Sequence, residues 1–147
     1  EVWEAWRRTR QIARALQAKV VLFQCPASFA PIEENIRNLE RFFARLRGES
    51  FRFAWEPRGD WPEETIVELC RKLEAVHCVD PFQARPLWGD FCYFRLHGRG
   101  GYRYKYTDED LASLRTKIPK GKEFYVMFNN TFMEEDAMRF QDLIRSS

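Results

Sequence analysis

The chain has 147 residues, of which 45% are hydrophobic, 31% charged and 16% aromatic. That is the size and balance of one folded domain with a sizeable core, and it excludes a disordered or low-complexity chain. The formal net charge is only +2, too small to argue for a polyanionic partner by itself, and no apolar run approaches membrane-spanning length.

Residues 1–17 carry Trp3, Trp6, Ile12, Ala13 and Leu16 at the spacing of an amphipathic helix. The sequence opens inside this helix on Glu1, without an initiator Met or a signal-peptide pattern, and reads as a piece of a longer protein. Residues 19–23 are a short apolar run, a buried strand ending at Gln24. A loop bounded by Pro26 and Pro31 follows. Ile36, Leu39, Phe42, Phe43 and Leu46 then share one helical face, and Gly48 closes that helix.

Residues 51–55 predict a second strand, ending at Glu56. After PRGDW, Pro62 sits at the first turn of a helix whose face is Ile66, Val67, Leu69, Cys70 and Leu73. Residues 76–79 predict a third strand ending at Asp80, and 91–96 a fourth ending at His97. Thr107 and Asp110 have the spacing of a capping box for a helix with Leu111 and Leu114. Residues 123–128 predict a fifth strand, followed by Asn129 and Asn130. Thr131 and Glu134 form a second and better box, opening a helix with Ala137, Phe140, Leu143 and Ile144.

Alternating strands and helices imply a parallel sheet with helices outside. The link from Pro81 to Asp90 is the exception. It holds Pro81, Pro86 and Gly89 and is too short for a crossover helix. Either a short turn suffices, or those two strands are antiparallel. Cys25, Cys70, Cys78 and Cys92 show no metal-binding spacing and read as four buried thiols of a reducing, cytoplasmic setting.

The four segments FQCPASF (23–29), WEPRGDW (55–61), YFRLHGRGGYRYKYT (93–107) and YVMFNNTFMEEDA (125–137) together resemble, in order, the YecE-like family, domain of unknown function 72. The resemblance covers essentially the whole chain. It implies an α/β fold of the TIM type, a β/α barrel, with residues 1–147 as a single domain forming its later part. The five strands would then be the fourth to eighth, with the earlier ones outside this sequence. The resemblance brings no established activity, substrate or cofactor.

In such a barrel the carboxyl ends of the strands converge on one mouth. That gathers Gln24, Glu56, Arg58, Asp80, Arg95, His97, Asn129 and Asn130. Three chemistries fit them. The first is recognition of a phosphate-bearing ligand, a nucleotide or nucleic acid. Arg58 and Arg95 would grip the anion, Gly98, Gly100 and Gly101 would offer backbone N–H groups, and Arg99, Arg103 and Lys105 would add positive potential. Tyr102, with Tyr104 and Tyr106, would stack a base or sugar. Equally, Arg58 and Arg95 could pair with Glu56 and Asp80 and only hold the fold together.

The second is a divalent metal held by Glu56, Asp80 and His97, against which His97 could simply bond a neighbouring carboxylate. The third is proton chemistry without a metal, with Glu56 as base and His97 as acid or base. A glycosidase is disfavoured, because the strand ends that usually carry its carboxylates hold Gln24 and Arg95 here. His77 lies inside its strand and reads as a packed residue. Asn129 and Asn130 would orient a substrate or bond the loop backbone. Trp55, Trp61 and Trp88 are core by default. The expectation is a phosphoester hydrolase; the alternative is a non-catalytic binding or scaffold module for protein or nucleic acid. No membrane partner is expected, and the sequence does not fix the oligomeric state.

Overall fold

The computed structural model describes residues 1–146. Its elements are α1 (Val2–Ala15), β1 (Val20–Gln24), α2 (Glu33–Ala44), β2 (Arg52–Glu56), α3 (Glu63–Leu73), β3 (Ala75–Val79), β4 (Cys92–Leu96), α4 (Asp108–Thr116), β5 (Phe124–Phe128) and α5 (Met133–Arg145). Each strand lies within a residue of where its apolar run predicts it.

All four strand pairings are parallel, and the order in the sheet is β1-β2-β3-β4-β5. Each new strand is therefore added on the same side of the last. The order never reverses, as it would in a doubly wound sheet. Successive right-handed crossovers then stack their helices on one face.

Side-chain alternation separates the two faces. Val21, Phe53, Trp55 and Ala75 point outward into a core with Trp6, Phe43, Ile66 and Leu69. Phe94 and Leu96 point outward into a second core with Leu111, Leu114 and Phe140. Inward-facing Ala54, Val76 and Cys78 cluster with Leu22, Tyr93 and Tyr125. The inner face curls into a half-barrel. Gln24 on β1 and Arg95 on β4 touch at 2.7 Å, although two strands separate them. In a flat sheet those backbones would stand about 14 Å apart, three spacings of about 4.8 Å.

The link between β3 and β4 settles as parallel with no crossover helix. The carbonyl of Asp80 accepts the N–H groups of Gln83 and Ala84, turning the chain at once. The chain then runs back beside β3, where His77 N–H donates to the Trp88 carbonyl at 2.9 Å. Gly89 permits this close return: its φ is +146°, and a Cβ there would lie 2.6 Å from Cγ1 of Val76.

Two helix starts differ from their prediction. Pro62 is the N-cap of α3 and not its first helical residue. At α4 the predicted box forms: Asp110 N–H donates to Thr107 Oγ1 at 3.1 Å, and Thr107 N–H donates to Asp110 Oδ2 at 3.0 Å. The box expected from Thr131 and Glu134 does not. Phe132 is the N-cap of α5, without a side-chain bond. Thr131 N–H instead donates to the Tyr102 carbonyl at 2.6 Å, and the Asn130 carbonyl accepts Met133 N–H. Those bonds fix the turn and start the helix one residue later.

The four cysteines are free. Cys70 and Cys78 are buried, and burial pushes the Cys70 thiol up to about 12 and Cys78 in the same direction. Cys92 is buried as predicted, but Cys25 is only half-buried, and its sulfur accepts the indole N–H of Trp55 at 3.4 Å.

Candidate functional site

Strand direction and pleat carry polar groups to one end of the concave face. Glu56, the last residue of β2, is its centre. Glu56 is 5% exposed, and its carboxylate faces three basic side chains. Arg95 Nη1 donates to Glu56 Oε2 and also to Gln24 Oε1 at 2.7 Å. His97 Nε2 lies 3.0 Å from Glu56 Oε1, and Arg58 Nε lies 3.6 Å from the same oxygen.

The imidazole of His97 has a defined role on its other side. Arg58 Nη2 lies 3.4 Å from Nδ1 and 3.5 Å from Nε2, against the ring, and Asn129 Nδ2 is 3.3 Å from Nδ1. An ionised carboxylate can only accept, so the contact with Glu56 places a proton on Nε2. A carboxylate that orients an imidazole this way makes Nδ1, here beside Asn129 Nδ2, the nitrogen able to take up a proton as a general base.

Asp80 does different work. Its Oδ1 accepts Phe82 N–H at 3.0 Å, closing the turn after β3. Its Oδ2 accepts the backbone N–H of His97 at 3.0 Å and so anchors the end of β4. With both oxygens on backbone N–H groups, and those of Glu56 on cationic side chains, the predicted metal set is not arranged as ligands. Among the described residues no three His, Cys, Asp or Glu side chains are grouped to hold a metal ion.

The structure thus brings together Gln24, Glu56, Arg58, Asp80, Arg95, His97 and Asn129. It does not bring the rest of the expected set. Asn130 is 2% exposed and bonds the Tyr104 carbonyl and Asp136 Oδ2. Arg99 Nη1 donates to Asp110 Oδ1 at 2.6 Å, and Tyr102 stands 62% exposed. Gly98 N–H is already spent on Tyr106 Oη at 2.8 Å.

The cause is a pair of buried carboxylates, since a buried charge must find partners. Asp110 collects Arg99, the Tyr104 hydroxyl and Thr107, while Asp136 collects Asn130, Arg139 and Tyr106 N–H. Together they staple the loop over residues 98–107. Their place in the first turns of α4 and α5 is also where acidic residues merely suit the helix dipole, so the sequence alone hides this second duty.

A cavity of about 630 Å³ opens beside the polar cluster. Gln24, Glu56, Arg58, Asp80 and His97 line it together with Trp61, His77, Gln83 and Leu87. His77 and Trp61, read from sequence as packed, are indeed buried, yet both border this space. His77 Nδ1 accepts Leu87 N–H at 3.2 Å. Burial lowers the His77 pKa from 6.5 to about 4, with Glu63 and Glu56 opposing the shift.

That shift makes stability depend on pH. Between pH 6.5 and 4 the unfolded chain takes up a proton that folded His77 refuses. His77 costs no stability above about pH 6.5, and stability falls as pH drops toward 4, the total loss reaching about 3 kcal/mol. Urea unfolding of the parent and His77→Gln at pH 7 and pH 4.5 checks this: the variant should lose less stability on acidification. Equal losses would show that His77 does not titrate between these states.

Among the described residues no helix is long and apolar enough to cross a membrane. No curated protein matches the chain. Among solved structures it is similar to a DUF72 family protein from Enterococcus faecalis, with a TM-score of 0.73 at 20% sequence identity. The match covers 92% of this chain and 63% of that one, so the chain spans less than two thirds of its neighbour's length. At that identity the likeness concerns the fold. The family model described as "Protein of unknown function DUF72" matches residues 1–146, and the chain therefore belongs to the DUF72 family.

Proposed function

We propose that the mouth binds a phosphate-bearing ligand and that its chemistry is hydrolysis of a phosphoester, with His97 as general base. The observation that supports this is the Glu56–His97–Arg58 group. Glu56 holds the Nε2 proton, and the Nδ1 lone pair lies beside a guanidinium whose side chain is 41% exposed. An oxyanion gripped by Arg58 would sit next to that lone pair. His97 would take a proton from a water attacking phosphorus, and Glu56 would stabilise the imidazolium formed. The same proton would then pass to the departing oxygen.

The finer reading of the fold belongs to this proposal. A parallel half-barrel in sequential order, with its polar residues at the carboxyl ends, suits a TIM-type barrel. A reducing, cytoplasmic setting suits the four free cysteines.

Arg58 is the side chain to test, because Arg95 is mostly buried against Glu56 and its loss would disturb the fold. Arg58→Ala should weaken binding of inorganic phosphate, measured by calorimetry, by about 10- to 100-fold, the size of a charged hydrogen bond. Stability should change by no more than about 1 kcal/mol, as for an exposed ion pair. Unchanged phosphate affinity would sink the proposal and leave the mouth charges as scaffold.

A further inference from the structure

The ion pairs of the mouth nearly cancel one another. Glu56 is shared: Arg95 donates to it, His97 Nε2 lies 3.0 Å from it and Arg58 Nε 3.6 Å. Asp80 has no cationic partner among the described residues, and its charge rests on two backbone N–H groups. At the rim Arg85 pairs with Glu63 at 3.1 Å. Three carboxylates are thus matched by three guanidiniums, and His97, as the neutral ring that general-base work requires, adds no charge. The three cations differ in what they have left to give. Arg95 is mostly buried and committed to Glu56 and Gln24, and Arg85 is committed to Glu63. Arg58 is well exposed, and the Glu56 oxygen it faces is already held by His97 at the shorter distance. An arriving anion therefore meets one guanidinium. A second negative charge on that anion would leave water beside Glu56 and Asp80 with no cation to meet it, and an unpaired charge is costly to desolvate.

The Gly-rich loop does not make up the difference. Arg99 is bonded to Asp110 and Lys105 to Glu135 at 2.5 Å. A nucleic-acid strand needs several free cations in a row, since each neutralised phosphate adds to affinity. Two of the three loop cations already have acidic partners.

We infer that the ligand of this mouth is a small phosphodiester, whose phosphoryl group carries a single negative charge, and not a phosphomonoester or a nucleic-acid strand. A monoester is a dianion at alkaline pH, one charge more than Arg58 can match. The reaction keeps its balance with a diester. His97 Nδ1 takes a proton from water as the water oxygen bonds phosphorus, one ester P–O bond breaks, and the proton passes to the departing alkoxide. The products are an alcohol and a monoester, which gives its remaining acidic proton to solvent. That dianion is the poorer ligand, so the same charge balance that admits the substrate expels the product. This rests on the proposed phosphate site and specifies the charge of what that site takes.

The test is a calorimetric series on the protein at pH 8 with dimethyl phosphate, methyl phosphate, inorganic phosphate and a short single-stranded oligonucleotide. Dimethyl phosphate should bind about 5- to 10-fold more tightly than methyl phosphate, although it carries less charge. Glu63→Gln removes an exposed carboxylate and frees Arg85 as a second cation. It should narrow that preference by about 2- to 3-fold, which a preference set by ligand shape would not do. The series on the parent decides the matter even if the variant does not fold. Methyl phosphate binding as tightly as dimethyl phosphate, or more so, overturns this inference and leaves the phosphate site standing. A preference that Glu63→Gln leaves unmoved overturns it also. So does an oligonucleotide that binds more than about 10-fold more tightly than dimethyl phosphate, since a row of phosphates is then being gripped. Absence of binding by all four probes overturns both readings.

Discussion

Glu56→Gln should cost the protein about 3–5 kcal/mol, the largest loss expected from any single mouth residue. The carboxylate is almost wholly buried and is, among the described residues, the only acidic partner of Arg95, whose side chain is 16% exposed. Glutamine keeps an acceptor for one hydrogen bond but removes the countercharge. Arg95 would then be held in a poorly hydrated place without compensation. His97 would lose the acceptor that fixes its tautomer. Arg58 would lose little, being well exposed. Urea denaturation measures the stability term. A loss below about 1 kcal/mol, typical of a solvated pair, would show that the cluster is wetter than its burial indicates. The double variant Glu56→Gln, Arg95→Met should recover much of the loss, since an apolar replacement of similar length carries no charge to strand.

Gly98→Ala should be nearly as damaging, by about 2–4 kcal/mol, through a wholly different mechanism. The residue has φ +87°, which alanine adopts only with strain, and its Cβ would come within 2.0 Å of the Gly101 carbonyl oxygen. Backbone must move to relieve that contact. The movement would break the bond from Gly98 N–H to Tyr106 Oη and displace His97, the preceding residue. Gly100→Ala is the matched control. Its φ is +95°, but nothing lies within 4 Å of the added carbon. It should show the backbone strain alone, about 1–2 kcal/mol. Equal losses for the two variants, measured by thermal or urea unfolding, would remove the steric argument.

The strands were legible because each is a short apolar run ended by a polar residue, and that same punctuation exposed Gln24, Glu56, Asp80 and His97. The direction of β4 was not legible. It depends on a turn at Asp80 and on a backbone bond from His77 to Trp88, neither of which leaves a hydrophobic period to read. Thr107 could be recognised as a cap because its partner lies three residues away. Thr131 has the same spacing, but a bond to distant Tyr102 decided its geometry. The basic loop misled for a related reason. Arg99 and Lys105 look available in sequence, and only the fold brings Asp110 and Glu135 to them. Trp61 was legible as a large buried ring, whereas its unpaired N–H is a property of the finished packing.

The sequential order of the sheet has a consequence for how chain entropy is distributed. Every strand finds its hydrogen-bonded neighbour in the next strand along, so the backbone pairings close short stretches of chain. The bonds that report the curl are of another kind. Gln24 to Arg95 at the mouth, and Arg52 to Glu123 at the opposite end, each join residues 71 positions apart. Loop-closure cost rises with the length enclosed, so these contacts carry the greatest ordering penalty among the side-chain hydrogen bonds of the described residues. Extended pairing can be satisfied locally, two strands at a time. Curvature requires strands that are not neighbours to find each other, and the same event that bends the sheet assembles the polar cluster around Glu56.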